Sequence, residues 1–376
     1  MQPDPCTAPP WDDGPWPPLP ALKRQVTCDV GVVGLGSSGL AAVVELLAAG
    51  RSVVGVDAGV VGAGASGRNG GFLLAGGADF YHRLIVRLGR ARAASLYRLT
   101  VAEIDRIAAE TPDAVRRTGS LRLASDADEL ADCQAQLAAL AADGLPAAAY
   151  EGPEGRGLLL PTDATVQPLA RCQTLARRAL AAGARLYERS LALTVRGGQV
   201  TTPGGRVRCE RVVVAVDGGL ERLLPELRPR VRSARAQMLA TAPALELRLP
   251  RPVYARWGWD YWQQLPDGRV VLGGFRDRGG QAEWTTQARP TTPVQAELER
   301  FVRAGLGVRA AVTHRWAGTI AVTADRLPVL AEARPGVWAA GAYSGTGNVL
   351  GALCGRAASQ LATSGRSPLA EILPAG

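Results

Sequence analysis

The chain has almost no lysine and almost no histidine. Lys23 is the one lysine among 43 basic residues, and His82 and His314 are the two histidines. Neither histidine sits in a recognisable motif, and the six cysteines, Cys6 to Cys354, lack ligand spacing, so no metal site is expected. There is no C-x-x-C pair, and a chain of 376 residues buries a core without staples, so the expectation is free thiols in a reducing cytoplasm. No apolar run reaches the roughly 18 residues that cross a bilayer, because glycine or a charge interrupts each one. The first residues, "MQPDPCTAPPWDDGPWPPLPAL", have neither a basic nor an apolar signal region, and their prolines oppose a helix. Residues 1–25 therefore read as an extended surface arm. There is no G-x-S-x-G elbow and no P-loop. The net charge of +9 is dispersed, with no basic cluster among aromatics, which gives no support for nucleic-acid binding. A positive field of this kind favours an anionic cofactor or substrate.

What is present begins with "CDVGVVGLGSSGLAAVVELLAAGRSVVGVDAG". Val30 to Val33 reads as a buried parallel strand. Gly34, Gly36 and Gly39 then form G-x-G-x-x-G, whose glycines permit a tight turn, close approach of a pyrophosphate and close packing of the next helix. That helix, about Ser37 to Ala49, aims its free N–H groups at the phosphates. "SVVGVD" supplies a second strand, and Asp57 lies 18 residues beyond Gly39, near the spacing at which an acid accepts from ribose hydroxyls. An acid rather than a base there argues against a 2′-phosphate, which leaves NAD or FAD.

Two further stretches favour the longer ligand. "AGVVGAGASGRNGGFL" has little room for regular structure and suits a backbone laid along an extended molecule, with contacts from Ser66, Arg68 and Asn69. Near the other end, "GVWAAG" reads as a strand, "AYSGTGN" as a second glycine turn, and Val349 to Thr363 as a helix. Two glycine turns at opposite ends of one chain fit FAD better than NAD.

These residues resemble those of the FAD-dependent oxidoreductases in the D-amino-acid oxidase, glycine and sarcosine oxidase superfamily. "PPLPAL", "GASGRNGG", "YWQQLPDGRVVLGG" and "AGTIAVTADRLPVL" are most similar to its γ-glutamylputrescine-oxidase-like branch, and the resemblance runs from about Pro17 to Gly365. It implies an α/β fold with an α+β substrate region: a Rossmann-type FAD-binding domain (26–80, 150–225 and 325–376) with an interleaved antiparallel-sheet substrate domain (81–149 and 226–324). It places Gly34, Gly36, Ser37, Ser38 and Gly39 at the pyrophosphate, and Asp57 with Ala58 at the adenosine ribose. Gly64, Ala65, Ser66, Gly67, Arg68, Asn69, Gly70 and Gly71 run past the ribityl chain towards the flavin. Ala192 presents backbone to the adenine, and Ala215 ends a strand beside the cofactor. Gly341, Ser344, Gly345, Thr346 and Gly347 meet the flavin ring.

For the substrate, "VYARWGWDYWQQLPDGRVVLGG" is the candidate sheet, with "PDG" as its hairpin turn. Trp257, Trp259 and Tyr261 alternate onto one face, with Tyr254, Arg256 and Trp262 as neighbours. They form either an aromatic wall that holds an amine by cation–π contact or an ordinary sheet core. Tyr343 joins Tyr254, Arg256, Trp257, Trp259 and Tyr261 as a pocket candidate. The resemblance implies oxidation of a C–N bond in an amino acid or amine by hydride transfer to flavin N5. The imine then hydrolyses, and electrons pass to dioxygen, giving hydrogen peroxide, or to another acceptor. Three departures stand out. "RVVLGG" is aliphatic where relatives carry a lysine, leaving Arg256, Arg269 or Arg276 as sources of fixed charge. Thr346 replaces a usual histidine. Gly318 falls about where some relatives tether FAD through cysteine, and Cys354 is expected to pack in the last helix, so non-covalent FAD is expected. A non-amine substrate, or flavin binding without turnover, are the alternatives.

Overall fold

Three valine-rich strands, Val30–Val33, Val53–Val56 and Arg211–Val214, lie parallel at the centre of a six-stranded sheet. The sheet is buried on both faces, which is why its strands read as continuous apolar runs. Pleating sends alternate side chains to opposite sides. Val30, Val32, Val53 and Val213 enter one core, whereas Val33, Val54, Val56, Val212 and Val214 enter another. The first core lies against helices Ser37–Ala48, Pro168–Ala181 and Leu350–Ser364. The second lies against a four-stranded sheet ordered Gln25–Thr27, Arg206–Arg208, Gln199–Thr201 and Thr194–Arg196. The computed structural model describes residues 8–11 and 15–374, so Cys6 and most of the arm before Pro15 lie outside the described residues.

In the six-stranded sheet the order is Arg185–Tyr187, Val53–Val56, Val30–Val33, Arg211–Val214, Val337–Gly341 and Val329–Arg334, and the last strand alone runs against its neighbour. All five parallel strands therefore present their carboxyl ends at one edge, where ligands of open α/β sheets bind.

The other large sheet has eight strands: Val312–Thr323, Val231–Pro243, Arg269–Gly273, Asp260–Gln264, Val253–Ala255, Ser120–Leu123, Gly155–Leu160 and Ala148–Gly152. It is mixed rather than purely antiparallel, because Val253–Ala255 runs parallel to Ser120–Leu123. Helix Thr292–Arg300 closes one side, with Val294 and Leu298 packed among Leu239, Val270 and Leu272. The strands within 148–160 belong to this sheet, so the expected boundary at residue 150 moves beyond residue 160. Helices Tyr81–Leu88 and Arg90–Glu110, separated at Gly89, were expected to belong with the substrate sheet; instead they send Tyr81, Leu84, Leu96 and Tyr97 into the core of the six-stranded sheet.

The described part of the arm is exposed or half-buried along most of its length and is anchored at a few points. Trp11 is buried beside Met238 and Trp316, and its Nε1 donates to the Asn69 carbonyl at 3.1 Å. Glu188, fully buried after strand Arg185–Tyr187, holds the rest of the arm. Its carboxylate accepts from Trp16 Nε1 at 2.8 Å, Leu19 N at 3.0 Å and Val61 N at 2.9 Å. Replacing Glu188 by Ala leaves three donors without their acceptor. The expected loss is about 2–4 kcal/mol in urea unfolding, together with faster tryptic cleavage after Lys23 or Arg24.

Candidate active site

At the carboxyl edge of the six-stranded sheet, the chain leaves Val33 through Gly34, Val56 through Asp57 and Val214 through Ala215, and these residues line one crevice. Two glycines of the first turn are closely packed. A Cβ on Gly39 would overlap the Gly34 carbonyl, and one on Gly36 would reach Ser66 Oγ at 2.5 Å. The backbone of the first turn thus sits against the second loop, and Ser66 Oγ accepts from Ser37 N at 2.9 Å. Behind this turn, Arg171 is almost completely buried and donates to Ser37 Oγ. Its Nε and Nη2 have no hydrogen-bond partner among the described residues. A helix N-terminus with a guanidinium behind it favours an anion.

Asp57 receives Leu35 N at 2.7 Å on one oxygen and Gly59 N at 2.8 Å on the other. Burial raises its pKa, opposed by those two N–H groups. Deeper in the crevice Asp217 accepts from Tyr343 N at 3.2 Å. Desolvation pushes its pKa up to about 7, and backbone hydrogen bonds offset this only in part.

A second cavity opens over the eight-stranded sheet and meets the crevice at Ala65, Arg68, Asn69, Gly318 and Asn348. Its floor is a cross-strand pair, Tyr254 and Tyr261, stacked with centroids 5.8 Å apart, with the Phe72 ring edge-on to both. Trp257, Trp259, Phe80 and four arginines, Arg68, Arg122, Arg276 and Arg326, are among its other lining residues. Asp79 is the one acid among the described lining residues, and its carboxylate already faces Arg87 at 3.3 Å and Arg83 at 3.8 Å.

The structure brings most of the expected cofactor residues to this double cavity. Gly34, Gly36, Ser38, Asp57, Ala58, Gly64, Ala65, Ser66, Arg68, Asn69, Ala215, Gly345 and Gly347 line the crevice, and Gly70, Ser344 and Thr346 line the aromatic side. Ser37, Gly39, Gly67, Gly71 and Gly341 lie behind the walls, and Ala192 packs into the second core, outside both cavities. Two pocket candidates are placed differently. Arg256 is held at the rim by Asp260 at 2.6 Å and Asp277 at 2.8 Å. Tyr343 is buried on the crevice side, its hydroxyl 2.7 Å from Ser38 Oγ. Trp257 and Trp259 do not alternate along a strand, because Arg256 and Trp257 turn through left-handed backbone at φ 51° and 53°. The Glu129 carboxylate fixes that turn, accepting from Arg256 N at 3.1 Å and Trp257 N at 2.5 Å. Gly318 lines both cavities, and Cys354 is buried in helix Leu350–Ser364. Residues not singled out from sequence include Asn348, Asp217, Arg122, Arg171 and Arg326. Of these, Asn348 is the last residue of the second glycine turn, which was a usable signal.

A parallel sheet with a glycine crevice at its carboxyl edge, joined to a cavity over a separate sheet, is the arrangement of a two-domain dinucleotide-dependent oxidoreductase. The profile of the DAO family, FAD dependent oxidoreductase, matches residues 29–361, and the chain belongs to that family. It is thus an FAD-dependent oxidoreductase. It is 28% identical to the probable oxidoreductase OrdL of Rhizobium meliloti (strain 1021), over 95% of this chain and 88% of that one. It is 27% identical to the gamma-glutamylputrescine oxidoreductase of Escherichia coli (strain K12), over 92% and 85%. The fold is similar to that of glycine oxidase from Geobacillus kaustophilus, with a TM-score of 0.74 at 22% identity over 91% of this chain and 96% of that one.

Because the folded-state pKa of Asp217 is raised, its contribution to stability is fully present below the ordinary carboxylate range and is lost as pH rises through about 7. Asp217→Asn cannot ionise. Between pH 5 and pH 8, chemical unfolding is expected to show the stability difference moving in favour of this variant over the parent protein.

Proposed function

We propose that this protein oxidises the C–N bond of an amino acid, with FAD held non-covalently along the crevice and the substrate in the aromatic cavity. The observation that carries the reading is the continuity of the two cavities at Arg68 and Asn69. When bound, FAD supplies the two-electron acceptor for that bond. In this assignment Asp57 accepts from the adenosine ribose, and the N–H groups around Gly36, Ser37 and Ser38 meet the pyrophosphate, with the Arg171 charge behind them. Arg68 and Asn69 lie at the junction, and Gly345, Thr346 and Asn348 face them from the second glycine turn. A cysteine tether has no support, since no cysteine is among the described lining residues.

The cationic wall favours a substrate with a carboxylate, which arginine holds in a planar, two-point contact. A plain polyamine would meet four guanidiniums and one already paired acid. Tyr254, Tyr261, Trp257 and Trp259 enclose the substrate and exclude water, which is how positioning lowers the barrier when the acceptor is a cofactor. No lysine or histidine is among the described lining residues, and arginine does not act as a base at neutral pH. The amine is therefore taken to react uncharged, with the imine hydrolysing after release and electrons passing to dioxygen or another acceptor.

The test is the visible spectrum of the purified protein, before and after acid precipitation, followed by anaerobic titration with amino acids and amines. Flavin released into the supernatant, and bleaching of the native protein by an amino acid, are expected. Failure to bind FAD on reconstitution would sink the cofactor placement, and bound flavin that no amine reduces would sink the reaction. Asp57→Ala is expected to weaken FAD binding about tenfold in a fluorescence titration, the scale of one good hydrogen bond to a charged group. Arg68→Ala is expected to lower the flavin content of the isolated protein.

A further inference from the structure

Four arginines line the aromatic cavity without an ion pair among the described residues. Each has a neutral partner instead. Arg68 Nε donates to the Ala317 carbonyl at 2.8 Å, Arg122 Nη1 to Gln136 Oε1 at 3.2 Å, and Arg326 Nη1 to the Ala78 carbonyl at 3.2 Å. Arg276 has its guanidinium over two indoles, 4.9 Å from the Trp259 ring centre and 4.7 Å from that of Trp284. Stacking of that kind occupies the faces of a guanidinium and leaves its N–H edge for a planar anion. Two buried arginines away from both cavities are matched: Arg235 faces Glu283 at 2.8 Å, and Arg356 faces Glu103 at 3.1 Å and Glu110 at 2.8 Å. Outside the cavity proper, Arg256 is neutralised twice over.

The four charges fall into groups on the cavity wall: Arg122, 4.4 Å from the Phe80 ring centre, and Arg326, bonded to the Ala78 carbonyl, share the segment 78–80, whereas Arg276 lies between Trp259 and Trp284. Arg122 and Arg326 both act on the Tyr254 hydroxyl, and Arg276 acts on that of Tyr261. Burial lowers the Arg276 pKa and the Arg326 charge adds to this, while the more distant carboxylates of Glu283 and Asp277 oppose it without pairing with Arg276. One carboxylate neutralises one group and leaves the other bare.

We propose that the substrate is a dianionic amino compound, with one carboxylate at Arg276 and a second acidic group at Arg122 and Arg326, so that its amine lies between them beside Arg68. This deepens the reading of the site given above and rests on it. The two differ in what they require: the reading above needs one carboxylate, and this one needs two.

The test uses flavin absorbance as a binding signal, so that it does not depend on turnover. The flavin-loaded protein is titrated, at fixed low ionic strength, with propionate, butyrate and valerate and then with malonate, succinate and glutarate. At least one dicarboxylate is expected to bind about tenfold or more tightly than the monocarboxylate of the same chain length, the gain from a second charge-assisted pair. Arg276→Met and Arg326→Met are each expected to remove that preference, whereas Arg269→Met, which removes a charge paired with Asp267 outside the cavity, is expected to keep it. Dicarboxylates that bind no more tightly than monocarboxylates, or a preference that survives in both cavity variants, would overturn the proposal. In the anaerobic titration, aspartate, glutamate or iminodiacetate is expected to bleach the flavin at lower concentration than alanine, glycine or sarcosine. Faster reduction by the neutral amino acids would overturn the dianionic substrate while leaving amino-acid oxidation in place; reduction by none of the six together with no carboxylate binding would count against both.

Discussion

The side-chain amides of Asn69 and Asn348 hold each other across 279 residues of chain, with Asn69 Nδ2 donating to Asn348 Oδ1 at 3.1 Å and Asn348 Nδ2 donating to Asn69 Oδ1 at 2.9 Å. This reciprocal pair joins the two glycine-rich loops, and most of the site depends on it. Asn69 Nδ2 also donates to the Ser66 carbonyl at 2.8 Å, its Oδ1 accepts from Gly71 N at 2.8 Å, and Asn348 Nδ2 reaches the Phe72 carbonyl at 2.8 Å. Loops so rich in glycine lose much conformational entropy on ordering. Here that cost is offset by hydrogen bonds made in a partly buried setting, where an unpaired amide would itself be costly. The junction of crevice and cavity therefore has a fixed shape, although little regular structure surrounds it.

The scaffold was legible in the sequence because its signals are local. Val30–Val33 and Val53–Val56 are unbroken apolar runs, Gly50 lies just past the end of helix Ser37–Ala48, and Asp126 caps helix Ala127–Ala142 by accepting from Glu129 N at 2.8 Å. The cofactor loops were legible for the same reason, since glycine spacing records where backbone must approach backbone. What could not be read depends on partners distant in sequence. The left-handed turn at Arg256 and Trp257 is set by Glu129, 127 residues before Arg256, so the alternation expected of a continuous strand does not occur. Ala148–Gly152 is an edge strand with exposed residues, and such a pattern carries no apolar signal for membership of a sheet. Arg122 sits in a plain strand, and only the parallel pairing of Ser120–Leu123 with Val253–Ala255 brings it to the cavity.

Backbone strain has a similar distribution. Among the described residues, the non-glycine positions with positive φ are Arg189, Arg256, Trp257, Phe275, Arg326, Ala342 and Ser344. Trp257, Arg326 and Ser344 line the aromatic cavity, and Arg256, Phe275 and Ala342 are adjacent to such residues or to the crevice tyrosine. Each such position costs of order 1 kcal/mol or more and persists only where surrounding contacts over-determine it. The two sheets supply those contacts, as in the Phe275 N–H bond to Asp260 Oδ1 at 3.0 Å. The rigid parts of the fold thus hold strained residues where the cavity needs particular side-chain directions.

The near absence of lysine bears on the chemistry of such a cavity. A lysine there could lose its proton and share in acid–base work, whereas a guanidinium keeps its charge at every pH the fold tolerates. The field over the stacked tyrosines is therefore fixed, and like charge nearby disfavours the protonated form of any amine placed in it. An amino acid held at Arg276 by its carboxylate would have its ammonium group in that same field. Under the proposed reaction, the arginines that would attract the anionic part of a substrate would also promote loss of the proton from its nitrogen, leaving the lone pair that C–N oxidation requires. Binding and activation would then come from one set of charges, with no histidine or lysine base among the described lining residues.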